Sequence, residues 1–147
     1  MSDVRVFVSF DLDHDDDLKD RLVDESRRPA SGFEISARSE ATGSERVRGR
    51  IVAADEMIVI CGRHTDGSAQ VSAEMRIAQE EQKPYFLLWG RREVMCTRPA
   101  GARPGDAMYS WTSSILHGQI VTTLRNARRR EVPAPYKRSG GVGVESR

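Results

Sequence analysis

Cysteine, aromatic residues and long apolar runs are all scarce in this sequence, and each scarcity excludes something. Its two cysteines, Cys61 and Cys96, give no disulfide framework. Cys61 closes an apolar run and reads as a reduced thiol in the core. Together with "CGRH" (61–64), Cys96 makes at most three loosely spaced metal ligands, one short of a structural zinc site, so no metal is expected. No apolar run comes near the roughly 20 residues of a membrane span, so no membrane contact is expected. The start, "MSDVRVFVSF", is acidic early and runs straight into a strand pattern, unlike a secretory leader, and the expected compartment is the cytoplasm. Neither sign of charge dominates, the net being +1, but the sum conceals a gradient. Residues 121–147 hold seven Lys/Arg against two Glu, which leaves the rest of the chain net acidic. That basic end lacks the aromatic interleaving of a nucleic-acid surface, so nucleic acid is not an expected partner.

What the chain does have is regular alternation. "VRVFVSF" (4–10) is a near-continuous apolar strand, of the kind buried on both faces of a parallel sheet. An Asp-rich stretch then leads into Leu18, Leu22 and Val23 at helical spacing, its acids suited to a helix N-terminus. "GFEIS" (32–36) reads as a second strand, and "SERVRGRIVAAD" (44–55) as a helix with Val47, Ile51 and Ala54 on one side. "EMIVIC" (56–61) is a third strand. A helix over 68–82 stops at Lys83-Pro84, because proline resists helical continuation. "YFLLWG" (85–90) is a fourth strand, and 91–107, with two Pro and two Gly, a loop. "MYSW" (108–111) is a short fifth strand. The last helix spans 112–130, with Ile115, Leu116, Ile120, Val121 and Leu124 as its apolar stripe. Residues 131–147 read as a basic, disordered tail.

This order predicts one α/β domain over 1–130: a flavodoxin-like three-layer sandwich with a parallel five-stranded sheet, order 2-1-3-4-5. Ligands in such sheets bind beyond the carboxyl ends of the strands, at the switch point between strands one and three. The loops beginning at Phe10-Asp11 and Cys61-Gly62 are therefore the candidates. The acids at 11, 13, 15, 16 and 17 resemble the magnesium-binding pair of a phosphorelay receiver, but strand three ends "VICG", with no carboxylate to phosphorylate. A helix-capping, solvated acidic loop is the better account. Glu74 is the more telling acid. It lies near the start of the third helix beside the small Ser72 and Ala73, which leave room for a ligand. If Ser72 caps the helix, Glu74 serves the dipole; if Ser68 does, it lies past the first turn and that benefit fades. A carboxylate in a cleft can stabilise an oxocarbenium-like transition state.

The blocks "VRVFVSFDLD", "FEISARSE", "ERVRGRIVAADEMIVICGRHT" and "VSAEMRIAQEEQKPYFLLWG", in that order over roughly residues 4–90, resemble the small TIR-like proteins of bacteria and archaea. These include the TIR-like component of Thoeris antiphage defence. The resemblance implies a flavodoxin-like fold and an enzyme that consumes NAD as a substrate rather than a cofactor. Such an enzyme cleaves the nicotinamide–ribose bond and releases an ADP-ribose-derived, in some members cyclic, signal to an effector protein. It implies Glu74 as the catalytic glutamate, stabilising the ribosyl cation and orienting ribose hydroxyls. Phe7 and Phe10 would shape the pocket, Ser9 and Asp11 would lie at the end of the first strand, and the loop 36–43 would cover the ligand. Cys61, Gly62, Arg63 and His64 would stand at the mouth, with Arg63 placed to meet a phosphate. Relatives often carry a tryptophan just after the second strand, where this chain has Ala37-Arg38. Two alternatives stay open: a non-catalytic TIR-like scaffold that oligomerises or docks an effector, and a nucleoside deoxyribosyltransferase-like enzyme, which also uses a glutamate in such a fold.

Overall fold

The computed structural model describes residues 3–41 and 44–131; beyond Glu131, the expected tail lies outside them. Strands β1 (Val4–Ser9), β2 (Phe33–Arg38), β3 (Glu56–Cys61), β4 (Tyr85–Trp89) and β5 (Met108–Ser110) alternate with helices α1 (Asp16–Ser26), α2 (Ser44–Ala53), α3 (Ala69–Glu80) and α4 (Ser113–Glu131). All strand pairs are parallel, in the order β2-β1-β3-β4-β5. The expected α/β, flavodoxin-like architecture is therefore what the chain adopts.

The two faces of the sheet hold separate cores. On one, Val6, Val8, Ile58, Ile60, Phe86 and Leu88 pack under Leu18 and Leu22 of α1 and Leu116 and Ile120 of α4. On the other, Phe7, Met57, Val59, Cys61 and Leu87 pack under Val47 and Ile51 of α2 and Val71, Met75 and Ala78 of α3. Period-two alternation along β1 and β3 divides their side chains between these cores, and every residue of β3 is buried.

The elements differ from expectation in a few places. The Asp-rich stretch opens α1 only in its second half, with Asp15 at the N-cap and Asp16 and Asp17 in the first turn; Asp11–Asp15 makes a turn whose amides at His14 and Asp15 donate to the Asp11 carbonyl. A single 3-10 turn (Thr65–Gly67) precedes α3. The stripe on α4 is narrower than its pattern, since Ile115 and Val121 are exposed while Leu116 and Ile120 are buried. Strand β2 runs on to Arg38 because of a register shift. Val6 pairs with Ile35 and Phe7 with Ala37, so Ser36 is the extra residue, and its hydroxyl donates to the Val6 carbonyl.

Candidate active site

Glu74 projects from the second turn of α3. Ser68 is the cap, its hydroxyl accepting from the Val71 amide at 3.2 Å, so Glu74 lies past the turn where the helix dipole favours an acid. The side chain is only 2% exposed. Burying a charge at that depth is costly unless hydrogen bonds answer it. Three side chains do so. The hydroxyls of Ser9 and Ser39 each donate to Oε1 at 2.6 Å, and Gln70 Nε2 donates to Oε2 at 3.0 Å. Burial pushes the Glu74 carboxyl above its ordinary value, and the bonds from Gln70, Ser39 and Ser9 oppose that push.

Each donor arrives for a local reason. Ser9 is the last residue of β1 and shares the face of Phe7, two residues before it. Gln70 is one helical turn before Glu74. Ser39 is delivered by the extra residue in β2: its amide donates to the Val8 carbonyl at 2.9 Å, and its Oγ accepts from the Phe10 amide at 3.0 Å. The ends of β1 and β2 and the start of α3 thus converge on one carboxylate, on the α2–α3 face of the sheet.

The other expected site residues divide into groups. Phe7 and Cys61 are fully buried in the same core as Met75, beneath the site rather than lining an open pocket. Desolvation lifts the Cys61 thiol to about 12, in keeping with an inert core thiol. Phe10 packs against the opposite face, with Leu18 and Trp111, because it follows Ser9 by one residue; it does not shape a pocket with Phe7. Arg63 and His64 are exposed beyond β3. Asp11 is buried and accepts from the Asp13 amide at 3.0 Å, and its Oδ2 lies 2.7 Å from Nδ1 of His14. The His14 ring in turn stacks on His64 with centroids 4.3 Å apart. Asp11, His14 and His64 therefore join the loops after β1 and β3 across the switch point.

Arg91, in the segment read only as a loop, clamps this edge. It donates to Asp15 at 3.0 Å, to Asp17 at 2.8 Å and to the His14 carbonyl at 3.1 Å. The Arg91 hydrogen bond lowers the Asp17 carboxyl, while desolvation outweighs the same arginine at Asp15 and raises it. Asp15 also explains Gly62, since a Cβ there would fall 2.3 Å from Asp15 Oδ2. No group of three or more His, Cys, Asp or Glu among the described residues has the proximity a metal ion needs.

Ser39, Gln70, His14 and Arg91 were missed from sequence. Gln70 left a signal in its spacing of four from Glu74, and Ser39 lies within the segment 36–43 expected to cover the ligand; His14 and Arg91 are brought in by loop geometry. The chain matches no family model and no curated protein. The TIR-like resemblance thus rests on its four sequence blocks alone.

Proposed function

We propose that this protein is a TIR-like enzyme that cleaves the N-glycosidic bond of NAD, with Glu74 as its catalytic residue. One observation carries the reading: a buried carboxylate at the switch-point edge whose Oε1 accepts from two alcohols. A ribose diol offers the same pair of donors, and exchange of the serine hydroxyls for ribose hydroxyls keeps the carboxylate satisfied. Nicotinamide leaves with the bonding electron pair, neutralising its own ring charge as positive charge develops at the ribose carbon. The Glu74 carboxylate stabilises that charge. Water then adds to the carbon and gives up a proton, yielding ADP-ribose; capture by a group of the same nucleotide yields a cyclic product instead. The product is a signal for an effector protein, and the setting is the cytoplasm. Asp11, His14, His64 and Arg63 stand where the rest of the dinucleotide extends.

A second reading, a TIR-like interaction module without turnover, draws support from the closure of Glu74, whose oxygens are occupied by protein donors. Incubation of the purified protein with NAD, and separately with a deoxynucleoside plus a free base, separates the possibilities. The proposal expects nicotinamide from the first mixture and no base exchange in the second. Exchange in the second alone indicates a deoxyribosyltransferase, and inertness in both favours the module.

A further inference from the structure

Of the four side chains joined around Glu74, Gln70 alone reaches solvent. Ser9, Ser39 and Glu74 itself are buried, whereas Gln70 is partly exposed. Its Nε2 donates to Glu74 Oε2 at 3.0 Å, on the oxygen that neither serine uses. The partner decides which way round the amide lies. An ionised carboxylate only accepts, so the nitrogen must face Glu74. The amide oxygen and the second N–H are left over, and neither has a hydrogen-bond partner among the described residues. Ala73, three residues further along the helix, is exposed and bears only a methyl, so it leaves that edge of the amide uncovered.

A side chain that touches the buried carboxylate and also meets solvent stands on the ligand's route to it. We infer, resting on the NAD reading, that Gln70 is a specificity-determining residue whose free amide edge pairs with the carboxamide of the nicotinamide leaving group. The two oxygens of Glu74 then have separate tasks. Oε2 stays with Gln70, and Oε1 is left for the ribose diol. Nicotinamide is bonded to the ribose carbon whose developing charge Glu74 stabilises, so it lies beside the carboxylate's own neighbours. Its ring carries a single carboxamide, which both donates and accepts, as the free edge of Gln70 does. An analogue without the N–H leaves the Gln70 oxygen unpaired, and a site built around such a bond discriminates against that analogue.

The analogue that tests this is 3-acetylpyridine adenine dinucleotide, whose methyl ketone keeps the carbonyl, loses the N–H and adds no charge. Base release is measured as kcat/KM with NAD and with the analogue, on the full chain and on Gln70→Met and Gln70→Leu. Circular dichroism checks that each is folded; Gln70 is partly exposed on a helix, and both replacements are good helix formers. The two bases differ in leaving ability as well as in hydrogen bonding. The change in the NAD-to-analogue ratio on substitution cancels that difference. In both variants the ratio should fall by about tenfold. A Gln70 that only holds Glu74 would slow both substrates by one factor. An unchanged ratio, or variants inert toward both substrates, would therefore overturn the inference while the NAD reading stands. Release of base from neither substrate by the parent would remove the NAD reading, and the inference with it.

Discussion

At the scale of single residues, three buried glutamates show what hydrogen bonding decides. Glu74 has three side-chain donors and Glu25 two, while Glu56, wholly buried at the start of β3, has no partner for either oxygen among the described residues. Burial, with a smaller push from Asp55, lifts the Glu56 carboxyl to about 9. A carboxyl raised in this way is held neutral by the folded chain and ionised by the unfolded one. Between its ordinary 4.5 and about 9, the unfolded state therefore binds fewer protons, and stability falls as pH rises. The slope has a ceiling of about 1.4 kcal/mol per pH unit for one group. Urea denaturation of Glu56→Gln at about pH 5 and about pH 8 should show a smaller loss than the parent, and a gain in stability at the higher pH. An unchanged slope would place the sensitivity elsewhere. Glu74 is shifted in the same direction, and the proposed chemistry needs its ionised form. Nicotinamide release should therefore rise along an acid limb whose midpoint lies above the usual glutamate value of 4.5. A limb at or below that value would contradict a desolvated catalytic carboxylate.

At the scale of elements, apolar periodicity was legible and the junctions were not. The run "EMIVIC" is a strand buried on both faces, as its apolar pattern predicts. Helix α3, by contrast, ends at Glu80, ahead of Lys83-Pro84, in a turn made by the left-handed Gln82 (φ 55) and closed by the Lys83 amide on the Ala78 carbonyl. Phe10 lies on the face opposite Phe7, because successive strand side chains point apart, whereas the resemblance implied one pocket for both. Ser39 was hidden for a different reason: the extra residue at Ser36 has no signature in a stretch as plain as "EISARS". Gly62 is the junction that can be tested. In Gly62→Ala the added methyl meets the Asp15 carboxylate at 2.3 Å, forcing Asp15 off Arg91. A loss of roughly 2 kcal/mol or more is expected by denaturant unfolding. In Gly49→Ala, on the exposed side of α2 with no heavy atom within 4 Å of the new Cβ, a gain of about 0.5–1 kcal/mol is expected. Equal effects of the two changes would refute the packing seen around Gly62.

At the scale of the whole molecule, the sheet order assigns each candidate its place. The order 2-1-3-4-5, readable from strand–helix alternation, puts the ends of β1 and β3 side by side and brings Glu74 to that edge. Ser9, Ser39 and Gln70 complete the carboxylate's surroundings on the α2–α3 face. Among the described residues no helix is long and apolar enough to cross a membrane. The central claim is that one carboxylate converts this arrangement into an enzyme. Its most direct test is nicotinamide release from NAD by the parent protein and by Glu74→Gln, with circular dichroism confirming that both are folded. Removal of the negative charge, with little change of shape, should lower the rate by about 100-fold or more. Equal rates from the two proteins, including none from either, would contradict the account.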